Sequence, residues 1–242
     1  GQVRLEHVTA CKKRFLNSMD DEVRGYQIES CFGPGGCPNR AVDSGQLLQT
    51  LEAILGAENL KDFLRERVGG PLKMHHEFRI TVSDCPNACS RPQIADIGII
   101  GASLPGLSGE PCTMCGACTE ACKEEALSLT FDDDTPLIDI GKCLACGQCI
   151  AVCPTGTLRE EKRGFRILLG GKLGRHPQLG REIRGIYPAE DTVRIVKQCI
   201  ELYREKCLHG ERFGEVLNRI GMEEEKEYDF LMQVKDERPK MK

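Results

Sequence analysis

Cysteines crowd the stretch from Cys112 to Cys153, and this limits what the chain can be more than any other feature. Two runs there share one spacing, Cys112-x2-Cys115-x2-Cys118-x3-Cys122 and Cys143-x2-Cys146-x2-Cys149-x3-Cys153, the second followed by Pro154. Gaps of two and three residues would strain a disulfide formed within a run, and the total of 15 Cys in 242 residues is odd, so complete internal pairing is excluded. A chain this long can bury a core without covalent staples. The thiols are therefore read as metal ligands.

The C-x2-C-x2-C-x3-C run resembles that of bacterial ferredoxins, in which the fourth cysteine ligates the other of two clusters. The resemblance implies one [4Fe-4S] cluster on Cys112, Cys115, Cys118 and Cys153, and a second on Cys143, Cys146, Cys149 and Cys122. A pair of zinc ribbons is the competing reading, but a ribbon site takes its ligands as two separated pairs, not as a repeated run of four. Ala126–Phe131 alternates like a strand, Asp132–Pro136 reads as a turn and Leu137–Ile140 as a returning strand. The module is drawn at residues 109–164. Lys123 follows Cys122 where the pattern has proline.

A second constellation lies upstream: Cys31 and Cys37 as C-x5-C, then Cys85 and Cys89 as C-x3-C. With the text from Asp84 to Gly98 and the glycine-rich stretch Gly170–Gly180, this pattern resembles the siroheme sulfite and nitrite reductases over most of residues 25 to 185. That resemblance implies a third [4Fe-4S] cluster on Cys31, Cys37, Cys85 and Cys89, with the last thiolate shared with the iron of a siroheme. A cluster without a tetrapyrrole remains the alternative. Gly33, Gly35 and Gly36 between two thiolates let the backbone pass close to an inorganic cluster and offer it amides. The carboxylates of a siroheme need cations and amides, for which Asn39, Arg40, Asn87, Arg91, Lys172, Arg175 and His176 are the candidates.

Members of that family carry a Lys-Phe-Lys triplet in the strand before the second cysteine pair. The corresponding letters here are Glu77-Phe78-Arg79, behind His75 and His76. If that strand faces the anion, Glu77 would repel it, and Arg79, His75, Lys12 and Arg14 would carry the positive field as catalytic groups. Cys11 precedes the basic run and is a candidate low-pKa thiol, whereas Cys199 and Cys207 read as buried structural cysteines.

The expected class is α+β: a single reductase-type unit, a mixed sheet flanked by helices, formed by residues 1–108 and 165–222 and interrupted by the ferredoxin insert. Phe78–Ser83, Ile94–Gly101 and Phe165–Leu169 read as strands. Asp43 or Ser44 caps a helix carrying Leu47, Leu48, Leu51, Ile54 and Leu55, and helices follow from Pro188 and over Phe213–Ile220. Residues 223–242 read as a charged arm. A net charge of −4 with both signs mixed gives no basic face for nucleic acid or an acidic membrane, and no apolar run approaches the roughly 20 residues of a bilayer span. With no apolar leader at Gly1–Glu6, the cytoplasm is the expected location.

What the resemblance implies in function is six-electron reduction of sulfite to sulfide, with electrons arriving from a donor protein through the ferredoxin-type clusters. Nitrite reduction with the same cofactors is an alternative. So is an electron-transfer iron-sulfur subunit with no substrate of its own, docking through the acidic turn Asp132–Asp134 and the tail. Family members carry two copies of the unit and this chain carries one, so a homodimer or a complex with related subunits is expected.

Overall fold

The period-two alternation of Phe78–Ser83 forms an inner strand of a five-stranded sheet. The structure, a computed structural model, describes residues 23–130 and 135–222; Cys11, Lys12, Arg14, the Asp132–Asp134 turn and the charged arm lie outside them. In chain order the strands are β1 (Tyr26–Ser30), β2 (Phe78–Ser83), β3 (Ile97–Leu107), β4 (Leu127–Leu129), β5 (Pro136–Ile138), β6 (Leu158–Leu169) and β7 (Arg181–Tyr187). The helices are α1 (Gly45–Ala57), α2 (Leu60–Arg67), α3 (Ala117–Ala121), α4 (Gln148–Val152), α5 (Ala189–Lys206) and α6 (Phe213–Arg219). The main sheet runs β1-β2-β3-β6-β7, and β4 and β5 form a separate ribbon.

Pairing β1-β2 and β2-β3 is parallel, while β3-β6 and β6-β7 is antiparallel. The mixed sheet and its helices fit the expected α+β class. Phe78, Ile80 and Val82 alternate onto one face, where they meet Leu47, Leu51 and Leu55 of α1, Leu64 of α2 and Val196 and Ile200 of α5. Tyr203 meets Phe78 in a tilted contact and Phe213 edge to face, at centroid distances of 5.1 and 6.0 Å. Full burial of each such side chain contributes about 1.5–3 kcal/mol, so this layer holds the helices to the sheet. Asp43, not Ser44, takes the first free amide of α1 (Gly45 N to Asp43 Oδ1, 2.9 Å).

The opposite face is covered by backbone. The β2-β3 connection, Asp84–Asp96, folds back over it, with Ser90 Oγ donating to the Val82 carbonyl at 2.7 Å. A Cβ at Gly98 would overlap the Pro92 carbonyl oxygen, so this layer exists only because β3 has no side chain there.

β3 and β6 continue past the sheet as a long ribbon, from Ile97 opposite Leu169 to Leu107 opposite Leu158. The strand expected from Ile94 begins at Ile97, and the one expected from Phe165 begins at Leu158, so the boundary drawn at Gly164 falls inside a continuous strand. At the ribbon's tip Ser108 N bonds Thr157 O at 2.9 Å, and the intervening chain carries both cysteine runs. Its apolar centre is small: buried Cys118, Leu127, Cys149 and Leu158, with Leu129, Ile138 and Ile150 against them. Among the described residues no helix is long and apolar enough to cross a membrane.

Candidate functional site

Parallel neighbours end together, and this places the first cysteines. Cys31 leaves β1 and Cys85 follows β2, with Cys31 N bonded to Val82 O at 3.0 Å. Amides of Gly33 and Asp84 each donate to Cys31 Sγ at 3.2 Å, the kind of bond that stabilises sulfur bearing negative charge. Cys37 closes the glycine loop, and Ala88, with φ of 50°, turns the chain from Cys85 toward Cys89. Burial pushes the Cys85 thiol up, and the neighbouring thiols Cys31, Cys89 and Cys37 push it further. The four sulfurs thus share one site. Cys85 is buried and Cys89 exposed.

The two later runs are built alike. Met114 and Ala145 take left-handed φ of 55° and 56°, and Gly116 and Gly147 take 78° and 76°. Each run bonds its third amide to its first sulfur, Met114 N to Cys112 Sγ and Ala145 N to Cys143 Sγ, both at 3.4 Å. The fourth cysteine crosses over. Cys112, Cys115, Cys118 and Cys153 line one small cavity. Burial, followed by Cys146, Cys143 and Cys122, pushes the Cys149 thiol up to about 12. Cys153 differs: burial raises it, but bonds from the Leu158 amide and the Thr155 hydroxyl outweigh this, and it is held below the usual thiol value.

Buried thiols crowded together resist ionisation, and a cationic cluster is what makes thiolates of them. Among the described residues no three His, Cys, Asp or Glu side chains are arranged around a single ion. Cys112, Cys115, Cys118 and Cys153, and likewise Cys122, Cys143, Cys146 and Cys149, line spaces instead, which suits a polynuclear cluster. The donor chemistry, the sulfur-directed amides and the glycine loop therefore fit [4Fe-4S] groups.

The sets are not equivalent. A cavity of about 170 Å³ is lined on one side by Asn39, Cys85 and Asn87 and on the other by Cys122, Cys143 and Cys149. The Cys112/Cys115/Cys118/Cys153 set does not reach it. Ser103 holds this junction from β3: its amide donates to Ala145 O at 2.7 Å and its hydroxyl to Glu160 Oε2 at 2.7 Å.

The remaining candidates divide. Asn39 and Asn87 lie in that cavity wall. Gly170–Gly180 packs against the Cys85–Asp96 segment, with Gly180 N on Gln93 O at 2.7 Å, and exposes Arg175 and His176 at its tip. Arg91 is also exposed. Cys89 and the 79% exposed Phe32 are likewise exposed, and an apolar ring, guanidiniums and an imidazole are the groups that suit a flat macrocycle edged with carboxylates. Lys172 is buried, with Nζ 2.6 Å from Glu215 Oε1, and Arg40 pairs with Asp43 at 2.9 Å; both cations are engaged within the chain.

Glu77 corrects the sequence reading. It is 3% exposed, and its carboxylate accepts the Arg24 amide at 2.8 Å, the Gly25 amide at 3.2 Å and Gln27 Nε2 at 2.6 Å. Those donors hold the anion inside the fold, where it pins the start of β1 to β2. His75 and Arg79 stand at the start of β2, the end away from Cys85, and Arg79 donates its amide to Asp96 Oδ2 at 2.8 Å.

Sequence reasoning did not single out Asp84, Ser103 or Arg166. Asp84 is 1% exposed and a Cβ on Gly33 would overlap its carboxylate; its place directly before Cys85 was the available signal.

Residues 24–228 match the model of the nitrite and sulphite reductase 4Fe-4S domain. The chain belongs to this family. Within it, the chain is 30% identical over 194 residues to a coenzyme F420-dependent sulfite reductase of Methanocaldococcus jannaschii, covering 79% of this chain and 28% of that protein. It is 31% identical over 160 residues to the beta subunit of a dissimilatory-type sulfite reductase of Archaeoglobus fulgidus, covering 60% and 43% respectively. The chain thus spans less than half the length of either curated relative. A crystal structure of dissimilatory sulfite reductase I has the same fold, with a TM-score of 0.52 at 21% identity over 88% of this chain and 52% of that one. This family member therefore has the fold and the [4Fe-4S] chemistry of the nitrite and sulphite reductase domain.

Proposed function

We propose that the chain is a siroheme-dependent oxidoreductase that reduces sulfite to sulfide with six electrons. The observation that carries this reading is the convergence of Cys31, Cys37, Cys85 and Cys89 on one site whose wall is shared, across the Asn39/Asn87 cavity, with the Cys122/Cys143/Cys146/Cys149 set. Three [4Fe-4S] clusters and a siroheme, when bound, would supply the electron relay and the six-electron reduction of the oxyanion.

The chain's own residues hold, orient and shield. Cys31, Cys37, Cys85 and Cys89 would hold the cluster, and Cys89, the exposed thiol of the four, would be the one open to a siroheme. Arg91, Arg175 and His176 would bind macrocycle carboxylates, and His176 can also deliver a proton as oxygen leaves. Residues 109–164, as a two-cluster ferredoxin module, would present Cys112, Cys115, Cys118 and Cys153 to an electron-donor protein, with the second set facing Cys85.

His75 and Arg79 lie at the end of β2 away from Cys85, so their positive field would act on the site of a neighbouring unit. A homodimer, or a complex with related subunits, follows. The relatives named as sulfite reductases favour sulfite over nitrite. The many free thiols suit a reducing compartment, and the cytoplasm is proposed.

Anaerobically reconstituted protein, given a low-potential reductant, should turn over sulfite to sulfide. A preference for nitrite of tenfold or more in kcat/KM, about 1.4 kcal/mol of barrier, would reassign the substrate. Reducible clusters with no turnover of either anion would make the chain an electron-transfer subunit.

A further inference from the structure

Arg166 is the one charged residue in the second half of β6, from Gly164 to Leu169, which is otherwise buried, and it lies beside the second cysteine run. Its Nε and one terminal nitrogen form a two-pronged bond to Glu182 of β7, at 2.6 Å to Oε1 and 2.5 Å to Oε2. The remaining nitrogen faces the Leu144 carbonyl at 3.4 Å, inside the turn that separates Cys143 from Cys146. A guanidinium held in this fork has little freedom. Its side chain is 22% exposed, so its field is only partly screened. The Leu144 carbonyl it faces lies between Cys143 and Cys146, so the charge sits beside that cysteine set.

We propose that Arg166 is a positioning and field-setting residue for the cluster held by Cys122, Cys143, Cys146 and Cys149, raising its reduction potential, and that Glu182 aims the guanidinium and moderates its charge. This rests on the reading that those four thiols hold a [4Fe-4S] cluster. The physical ground is simple. Reduction adds one electron and no bond changes, so a nearby fixed cation favours the reduced cluster and a nearby anion disfavours it. This set faces the Cys85 site, so the pair would set how readily an electron rests at that junction.

The test is a redox titration of the reconstituted full chain, with dithionite as reductant and paramagnetic resonance of the reduced clusters as the readout. Arg166→Gln should lower one cluster's potential by about tenfold in its reduction equilibrium, about 59 mV for one electron. Glu182→Gln should raise the same potential, and Arg166→Lys should stay near the wild type. The cluster on Cys112, Cys115, Cys118 and Cys153 should not move.

A merely structural clamp would not give opposite signs for its two halves. Equal shifts of the same sign in the two Gln variants, or none, overturn the proposal. Should Arg166→Gln fail to hold its cluster, the sign of the Glu182→Gln shift decides alone. No reducible signal in the wild type would overturn the cluster reading itself, and this proposal with it. A normal wild-type signal beside unmoved variants overturns only this proposal.

Discussion

Ser44 Oγ donates a 2.5 Å hydrogen bond to Asp84 Oδ1, tying the start of α1 to the residue that precedes Cys85. Asp84 Oδ2 is buried with no partner, and burial raises the Asp84 carboxyl above its usual range against the pull of Ser44. One hydroxyl thus supports a costly buried acid next to a cluster ligand. Ser44→Ala should destabilise the protein by about 1–3 kcal/mol, the cost of leaving a buried acceptor unmade. Urea unfolding of reconstituted protein is the check, with the midpoint shifted and the slope unchanged; a change under about 0.5 kcal/mol would mean that water replaces the hydroxyl.

Gly98 tests the backbone layer. Alanine there collides with the Pro92 carbonyl, so Gly98→Ala should displace the Cys85–Asp96 segment and cost about 1–3 kcal/mol. Iron bound through Cys85 and Cys89 should fall with it. Gly69→Ala is the control, since nothing lies within 4 Å of a Cβ placed there and it lies away from the cysteine loops, and it should retain its iron.

Acid should release the Gly170–Gly180 loop from α6. Glu215 is held below the usual glutamate range, first by its bond from Lys172 and also by the Arg212 amide. Its folded-state value is depressed, so its contribution is present above the unfolded value of about 4.3 and is lost as pH falls through the lower folded value. Glu215→Gln should lower stability at neutral pH and flatten the acid limb below about pH 4.3. Thermal unfolding midpoints across that range are the measurement, and parallel limbs for both proteins would contradict the assignment.

The ribbon-tip module should depend on its metal. Its apolar centre is four buried residues, two of them cysteines, too little to offset chain entropy unaided. Chelation of iron should make residues 109–157 the first site of proteolysis, before any cut in the main sheet. A module that stays resistant without iron would show that its own packing suffices.

The cysteine sets were legible because ligand spacing is local, and β2, α1, α5 and α6 because their apolar residues recur at one period. Other elements carried no such mark. The first half of β6, Arg159–Arg163, is a charged run exposed on both sides of a ribbon, so it shows no alternation. The edge strands β1 and β7 are half-buried and mix Glu, Arg and Gln with their apolar residues. Glu77 read as an anion that would repel the substrate if its strand faced it, because its partners, the amides of Arg24 and Gly25, lie some fifty positions away and amides leave no trace in a sequence. The pairing of Lys172 with Glu215 was equally hidden, since the two meet only through the fold.

The most direct test of the account is the absorption spectrum and iron content of anaerobically reconstituted protein, measured on one sample. The account predicts a siroheme band together with about thirteen irons per chain, four for each of three cubanes and one in the siroheme, and loss of the siroheme band in Cys89→Ser. A protein with iron but no tetrapyrrole band, or a siroheme band untouched by Cys89→Ser, would contradict it.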